Sequence, residues 1–182
     1  MEAEMKKIGL IGLDTSHVIA FTKLLNDPAH EWHIPGGRVT SGWPGGSPDF
    51  PNSIDRLPEY TKALREEHGI EILDSPEAVA EASDIVFIES VDGRVHLEQF
   101  KRTLPYRRPT FIDKPFALRS GEAREMVRLA DEAGIALMSG SSLRYAAELE
   151  QALAHGRDDI VGCDAHGPMG EVPTQPGLFW YG

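Results

Sequence analysis

A single cysteine, Cys163, stands among 182 residues, which excludes an internal disulfide framework and a multi-cysteine zinc site. Basic residues are also scarce. Eighteen lysines and arginines face 29 acids, and the formal net charge of −11 argues against non-specific attraction to nucleic acid or to an anionic membrane. No apolar run approaches bilayer-spanning length, and Met1-Glu2-Ala3-Glu4-Met5-Lys6-Lys7 has no apolar signal core, so no membrane and a cytoplasmic location are expected. Repeats and low-complexity tracts are missing. His30, His33, His68, His155 and His166 show no metal-ligand spacing, and no metal is expected.

What is present is a hydrophobic fraction of 41%, enough for a packed core. Apolar runs alternate with helix-periodic stretches: strands at 7–13, 38–41, 70–73, 84–89, 109–112 and 135–138. Helices are expected at 16–26, at 58–68 with Gly69 as its stop, from Asp74-Ser75-Pro76-Glu77 to Ala82, at 94–104, and at 119–133 ended by Gly134. Repeated βα units of this size predict an α/β fold with a doubly wound parallel sheet and right-handed crossovers. Beyond 140 the pattern loosens, with a helix expected at 143–154 and a strand at 159–165. The expected division is a Rossmann domain over 1–140, then 141–182 as a linker helix and the start of a second α/β domain cut short. The final Leu178-Phe179-Trp180-Tyr181 is apolar, as a surface awaiting a partner would be, and association with a second copy through this segment is a further expectation.

Open α/β sheets bind ligands beyond the carboxyl ends of their strands, so strand-end residues are the candidates. After the first strand comes Gly12-Leu13-Asp14-Thr15-Ser16-His17, in a place where a phosphate-binding turn needs glycines. Only the first glycine position is kept. Asp14 would set a carboxylate near a pyrophosphate unless it points away, while Thr15 and Ser16 can cap the helix and offer groups to an anion. An ordinary βα turn without a ligand is the competing reading. No acid occurs between Glu31 and Asp49 to hold ribose hydroxyls. Pro44-Gly45-Gly46-Ser47 could offer backbone N–H groups to a 2′-phosphate, which tilts the choice toward NADP over NAD; a flexible surface loop is the alternative.

Phe111-Ile112-Asp113-Lys114-Pro115 is an apolar strand that stops on charge. Asp113 could hold the Lys114 ammonium, and desolvation could bring that amine into acid–base range. A solvated strand-end lysine is the other reading. Glu89, Ser90, Asp92 and His96 follow the central strand where a nicotinamide ribose or substrate would lie, although Asp92 and His96 also suit capping and packing. Arg144 is placed to bind a substrate hydroxyl or carboxylate, or to form a structural ion pair.

Together these pieces resemble the Gfo/Idh/MocA family of NAD(P)-dependent oxidoreductases. The matching residues are Ile8-Gly9-Leu10-Ile11-Gly12 with His17, Asp84 to Glu89 with His96, Phe111 to Pro115 in place of a Glu-Lys-Pro signature, Ser142-Leu143-Arg144-Tyr145, and Gly156 through Gly167. The resemblance implies NAD or NADP as cofactor, a small-molecule sugar, cyclitol or related polyol as substrate, and hydride transfer. It assigns the signature lysine's chemistry to Lys114, with Asp113 replacing glutamate. A histidine that the family often carries in its second domain has no counterpart before Gly182. The competing function is a non-catalytic nucleotide- or sugar-binding or assembly module on the same sheet.

Overall fold

The computed structural model describes residues 4–154, 156–158, 160–164 and 166. Six strands form one parallel sheet: β1 (Lys6–Ile11), β2 (Gly37–Trp43), β3 (Glu71–Ile72), β4 (Ile85–Ile88), β5 (Thr110–Ile112) and β6 (Leu137–Ser139), in the order β3-β2-β1-β4-β5-β6. The order reverses between β1 and β4. A crevice opens at such a switch point because the connections on either side leave in opposite directions. This is a Rossmann-like α/β fold.

Helices α1 (His17–Asn26) and α3 (Leu57–Glu66) touch on one side of the sheet. On the other side α4 (Pro76–Ala82), α5 (His96–Thr103) and α6 (Ser120–Ala133) pack in series. Period-two alternation divides the strand residues between two cores. Ile11, Ile88 and Ile112 join Val79, Phe100 and Met126 beneath α4 to α6, whereas Leu10 and Val39 join Val18 and Leu64 on the α1 side. Ser75 caps α4, its Oγ accepting from the Ala78 N–H at 3.1 Å, as the Asp74-Ser75-Pro76-Glu77 sequence predicts.

Three expectations need correction, and one element is additional to them. Residues 51–54, between the expected strand at 38–41 and the expected helix at 58–68, form a short helix, α2 (Pro51–Ile54), opened by proline at its first position. The helix expected over 143–154 is two pieces, a 3₁₀ turn (Ser142–Tyr145) and α7 (Ala147–Leu153), divided at Ala146, whose backbone is extended. The described residues 160–164 form no strand, Val161 is fully exposed, and no described strand pairs with them. Ser16 sits at the N-cap of α1 without a side-chain cap bond; its exposed hydroxyl leaves that role to Thr15 Oγ1, which accepts weakly from the His17 N–H at 3.4 Å. Residues 167–182, including the aromatic tail, lie outside those described.

Candidate active site at the strand ends

Parallel pairing sets which side chains meet at the sheet's carboxyl edge. Ile88 is opposite Ile112, and the Asp113 N–H donates to Ile88 O at 2.9 Å, so the residues one step further, Glu89 and Asp113, are also neighbours. Alternation turns both toward the face that bears Phe87 and Phe111, the face of α1. Helix α1 is pinned there by Phe21, whose ring meets Phe87 and Phe111 edge-on at 6.0 and 6.2 Å. One turn earlier, His17 is thereby brought over Asp113, and its Nδ1–H donates to the carboxylate at 2.7 Å. His17, Glu89 and Asp113 each offer a ligand-type atom within 4.8 Å of the other two.

Glu89 is the anomaly of this edge. Its side chain is completely buried, and neither carboxyl oxygen has a hydrogen-bond partner among the described residues. Burial pushes its pKa well above the usual carboxylate range; the nearby Asp113 charge adds to this, the Lys114 ammonium opposes it, and Asp14 adds a little more. Lys114, half-buried, lines a cleft of about 380 Å³ together with His17, Asp113, Ser141, Ser142 and Tyr145. Lys114 and Asp113, the expected catalytic pair, therefore share one cleft with His17.

The first turn is organised differently. Gly12 has φ of +83°, and a Cβ there would lie 2.1 Å from Ser90 Oγ and 2.6 Å from the Ser90 backbone, so only glycine fits. The Gly12 and Leu13 N–H groups donate to Trp43 O and Pro44 O, extending the β1–β2 pairing past the strand ends. Asp14 points inward and is fully buried. Its carboxylate accepts from the Val91 N–H at 3.0 Å and from Ser53 Oγ. Burial raises its pKa, and those two bonds offset part of the rise. The carboxylate is thus directed away from any phosphate at the mouth.

Several nominated residues are engaged internally. Ser47 is buried, and its N–H donates to Ser53 Oγ at 2.8 Å. The Pro44-to-Ser47 segment is therefore packed rather than a loose loop, with Gly45 at φ +65° lying against Gly12. Ser90 Oγ faces the Gln99 amide at 2.8 to 3.0 Å. His96 is buried, its Nε2–H donating to Ser90 O at 2.7 Å, so it braces the turn after β4. Asp92 accepts from the Arg94 N–H and guanidinium, and Arg94 also grips Asp49. Arg144 is exposed and lines a separate groove with Leu149, Glu150 and Arg157; the fold does not bring it into the Lys114 cleft.

Sequence reasoning missed Ser53, which lies in the unexpected helix α2, and Tyr145 as a wall of the cleft. It also missed that Glu89, Asp113 and His17 converge. A signal for part of that was present: Phe87-Ile88-Glu89 and Phe111-Ile112-Asp113 repeat one pattern on two strands, so in a parallel sheet their acids emerge in phase.

The family described as "Oxidoreductase family, NAD-binding Rossmann fold", GFO_IDH_MocA, matches residues 39–141, more than half of the chain. The chain belongs to the Gfo/Idh/MocA family. A 1,5-anhydro-D-fructose reductase from Ensifer adhaerens is 30% identical over 159 residues, covering 84% of this chain and 42% of the relative. The chain thus spans less than half of that relative's length. Among solved structures, an oxidoreductase from Agrobacterium radiobacter in complex with NAD+, L-tartaric acid and magnesium is 21% identical, with a TM-score of 0.63 over 82% of this chain and 40% of the other. A variant 3-ketoreductase from Actinomadura kijaniata, in complex with TDP-benzene and NADP, is 19% identical with a TM-score of 0.61 over 88% and 44%. At such identities these two likenesses establish the fold alone.

The strand ends of this Gfo/Idh/MocA chain fit a dinucleotide on two observations. Gly12 preserves the tight turn, and the one acid in that turn is folded inward. No helix among the described residues is long and apolar enough to cross a membrane.

Proposed function

We propose that this chain is the cofactor-binding part of an oxidoreductase that acts on a sugar, cyclitol or related polyol with NAD or NADP, and that residues 141–182 lead into its substrate domain. The observation that carries the reading is the shared cleft of Lys114, Asp113 and His17 at the carboxyl ends of β1, β5 and β6. A nicotinamide bound along this edge would supply the hydride acceptor or donor. Gly12 and Leu13 shape the turn beneath it, Asp14 holds that turn closed, and the first turn of α1 faces the mouth with Thr15 and Ser16.

Lys114 is the proposed proton-handling residue. Its Nζ would take the proton from a substrate hydroxyl on oxidation and return it on reduction, work for which an amine at a half-buried mouth is suited. Asp113 would act through His17, holding its ring across the cleft floor. Glu89 sets the field felt by the ammonium from below. The reductase relative and its named substrate class support a sugar-like substrate.

The test is direct. Calorimetric titration of this chain with NAD+, NADP+ and their reduced forms should show saturable binding, and in a protein that also carries the substrate domain Lys114→Met should lower turnover of a polyol series by about 10²- to 10⁴-fold with dinucleotide affinity unchanged; this chain by itself should turn over weakly or not at all. If neither dinucleotide binds at millimolar concentration, the non-catalytic binding module becomes the better reading. Activity retained in Lys114→Met would remove the lysine from the chemistry.

A further inference from the structure

We propose that His17, Glu89 and Asp113 form a binding site for one divalent first-row transition cation, Mn2+ or Zn2+ in preference to Mg2+, at the floor of the Lys114 cleft. Their candidate ligand atoms all lie within 4.8 Å of one another. For metal–ligand bonds of about 2.0 to 2.2 Å in a tetrahedral arrangement, ligand atoms sit about 3.3 Å apart. Closing on an ion therefore needs shifts on the order of 1 Å, with the His17–Asp113 contact widening from 2.7 Å as Nδ1 gives up its proton.

Glu89 is the independent observation. A buried polar group without a hydrogen bond is costly, and native structures normally supply a partner. Among the described residues both Glu89 oxygens lack one, and the side chain is sealed from solvent. Its register against Asp113 and the placing of α1 by Phe21 direct it toward the same point as His17. A cation between the three would satisfy all of them at once. His17 is about one-third exposed, so an ion has an entry path from the cleft and retains an open coordination position toward it.

The charge balance agrees. Glu89 and Asp113 bring two carboxyl groups to the site, and a divalent cation would bind them in their ionised form, releasing any proton they hold. One imidazole with two carboxylates suits Mn2+ or Zn2+ better than an all-oxygen Mg2+ site. The site shares His17 and Asp113 with the proposed oxidoreductase reading and would displace the hydrogen bond between them, but its occupancy is read without a dinucleotide, so failure of one reading is distinguishable from failure of the other.

The experiment uses the protein stripped with chelator and titrated calorimetrically, without nucleotide, with MnCl2, ZnCl2 and MgCl2 in turn. The expected result is one equivalent of Mn2+ or Zn2+ bound at micromolar affinity or tighter, with Mg2+ weaker. At a hundredfold excess over Kd the melting temperature should rise by about 5 °C or more. Glu89→Gln keeps the side chain's shape and removes a buried charge, so it should fold well while losing affinity by about 100-fold or more; His17→Gln should lose it comparably. Circular dichroism of both variants confirms their fold. If the wild type binds no ion saturably, or if Glu89→Gln binds as the wild type does, the proposal is wrong.

Discussion

Two stretches of the same sheet edge treat buried polar groups in opposite ways. Beyond β1 and β2, and over residues 90–94 after β4, three acids are answered: Asp14 by Val91 and Ser53, Asp92 by Arg94, and Asp49 by the other side of Arg94. Phe50 seals the same region against Val91 and Leu118. At the ends of β4 and β5, Glu89 is sealed in with no partner among the described residues, and His17, Asp113 and Lys114 face a cleft. One mouth is completed from within, while the other is left with chemistry to do. Unsatisfied groups cost stability, so a fold tolerates them where a ligand or a reaction uses them.

Breaking the completed mouth should have the largest effect. Gly12→Ala places a methyl group on the Ser90 backbone and forces a side chain into a positive-φ conformation. A loss of about 3 kcal/mol or more is expected in urea unfolding. Wild-type stability in this variant would show that the two turns are not in fixed contact.

Arg94→Met should come next, costing about 2 to 3 kcal/mol at neutral pH because Asp92 stays buried without its guanidinium. Burial alone would raise the Asp92 pKa, but the bonds from Arg94 and Ser47 outweigh it and hold the carboxyl below 3.8. A depressed acid stabilises the fold above its ordinary pKa, and that contribution is lost as pH falls through the folded value. The wild-type and Arg94→Met stability curves should therefore converge below about pH 4. A constant gap down to pH 2 would place the role of Arg94 in packing rather than charge.

The open mouth should respond with the reverse sign. Glu89→Gln in chelator at neutral pH is expected to gain about 1 kcal/mol, because a partnerless buried carboxyl becomes a neutral amide of the same shape. A loss of similar size would mean that Glu89 already has a stabilising role in the metal-free protein.

The contrast also explains what the sequence could and could not disclose. Strand and helix order is written in local periodicity, and the apolar run 84–89 or the stop at Gly134 needs no distant information. The strand ends that carry Gly12, Glu89 and Asp113 follow from that order. What Asp14 does depends on Ser53, 39 residues away in a four-residue helix without periodicity of its own, and on an amide 77 residues away. Arg144 was assigned by proximity to a strand end, yet a break at Ala146 and the 3₁₀ turn carry it to another groove. Side chains whose role is fixed by register were foreseeable, and those fixed by loop packing were not.

The smallest effect should come from Asp14→Asn, which sharpens the comparison because it keeps the bonds and removes only the charge. The amide oxygen can accept from the Val91 N–H, and the amide nitrogen can donate to Ser53 Oγ, which already accepts from the Ser47 N–H and has a second lone pair. A net change within about 1 kcal/mol at neutral pH is expected. The pH dependence carries the information. Asp14 has a raised pKa in the folded state because it is buried, so the native protein holds its proton more tightly than the unfolded chain and loses stability as pH rises from 3.8 toward the folded value. Asparagine has no such loss. The stability of Asp14→Asn relative to wild type should therefore improve as pH rises from 3.8 and level off above the folded pKa, the opposite course to an ion-paired acid. A relative stability that worsens over that range would mean that the Val91 and Ser53 bonds hold the carboxylate more strongly than burial opposes it, and the first mouth would then depend on a charge rather than on a neutral knot.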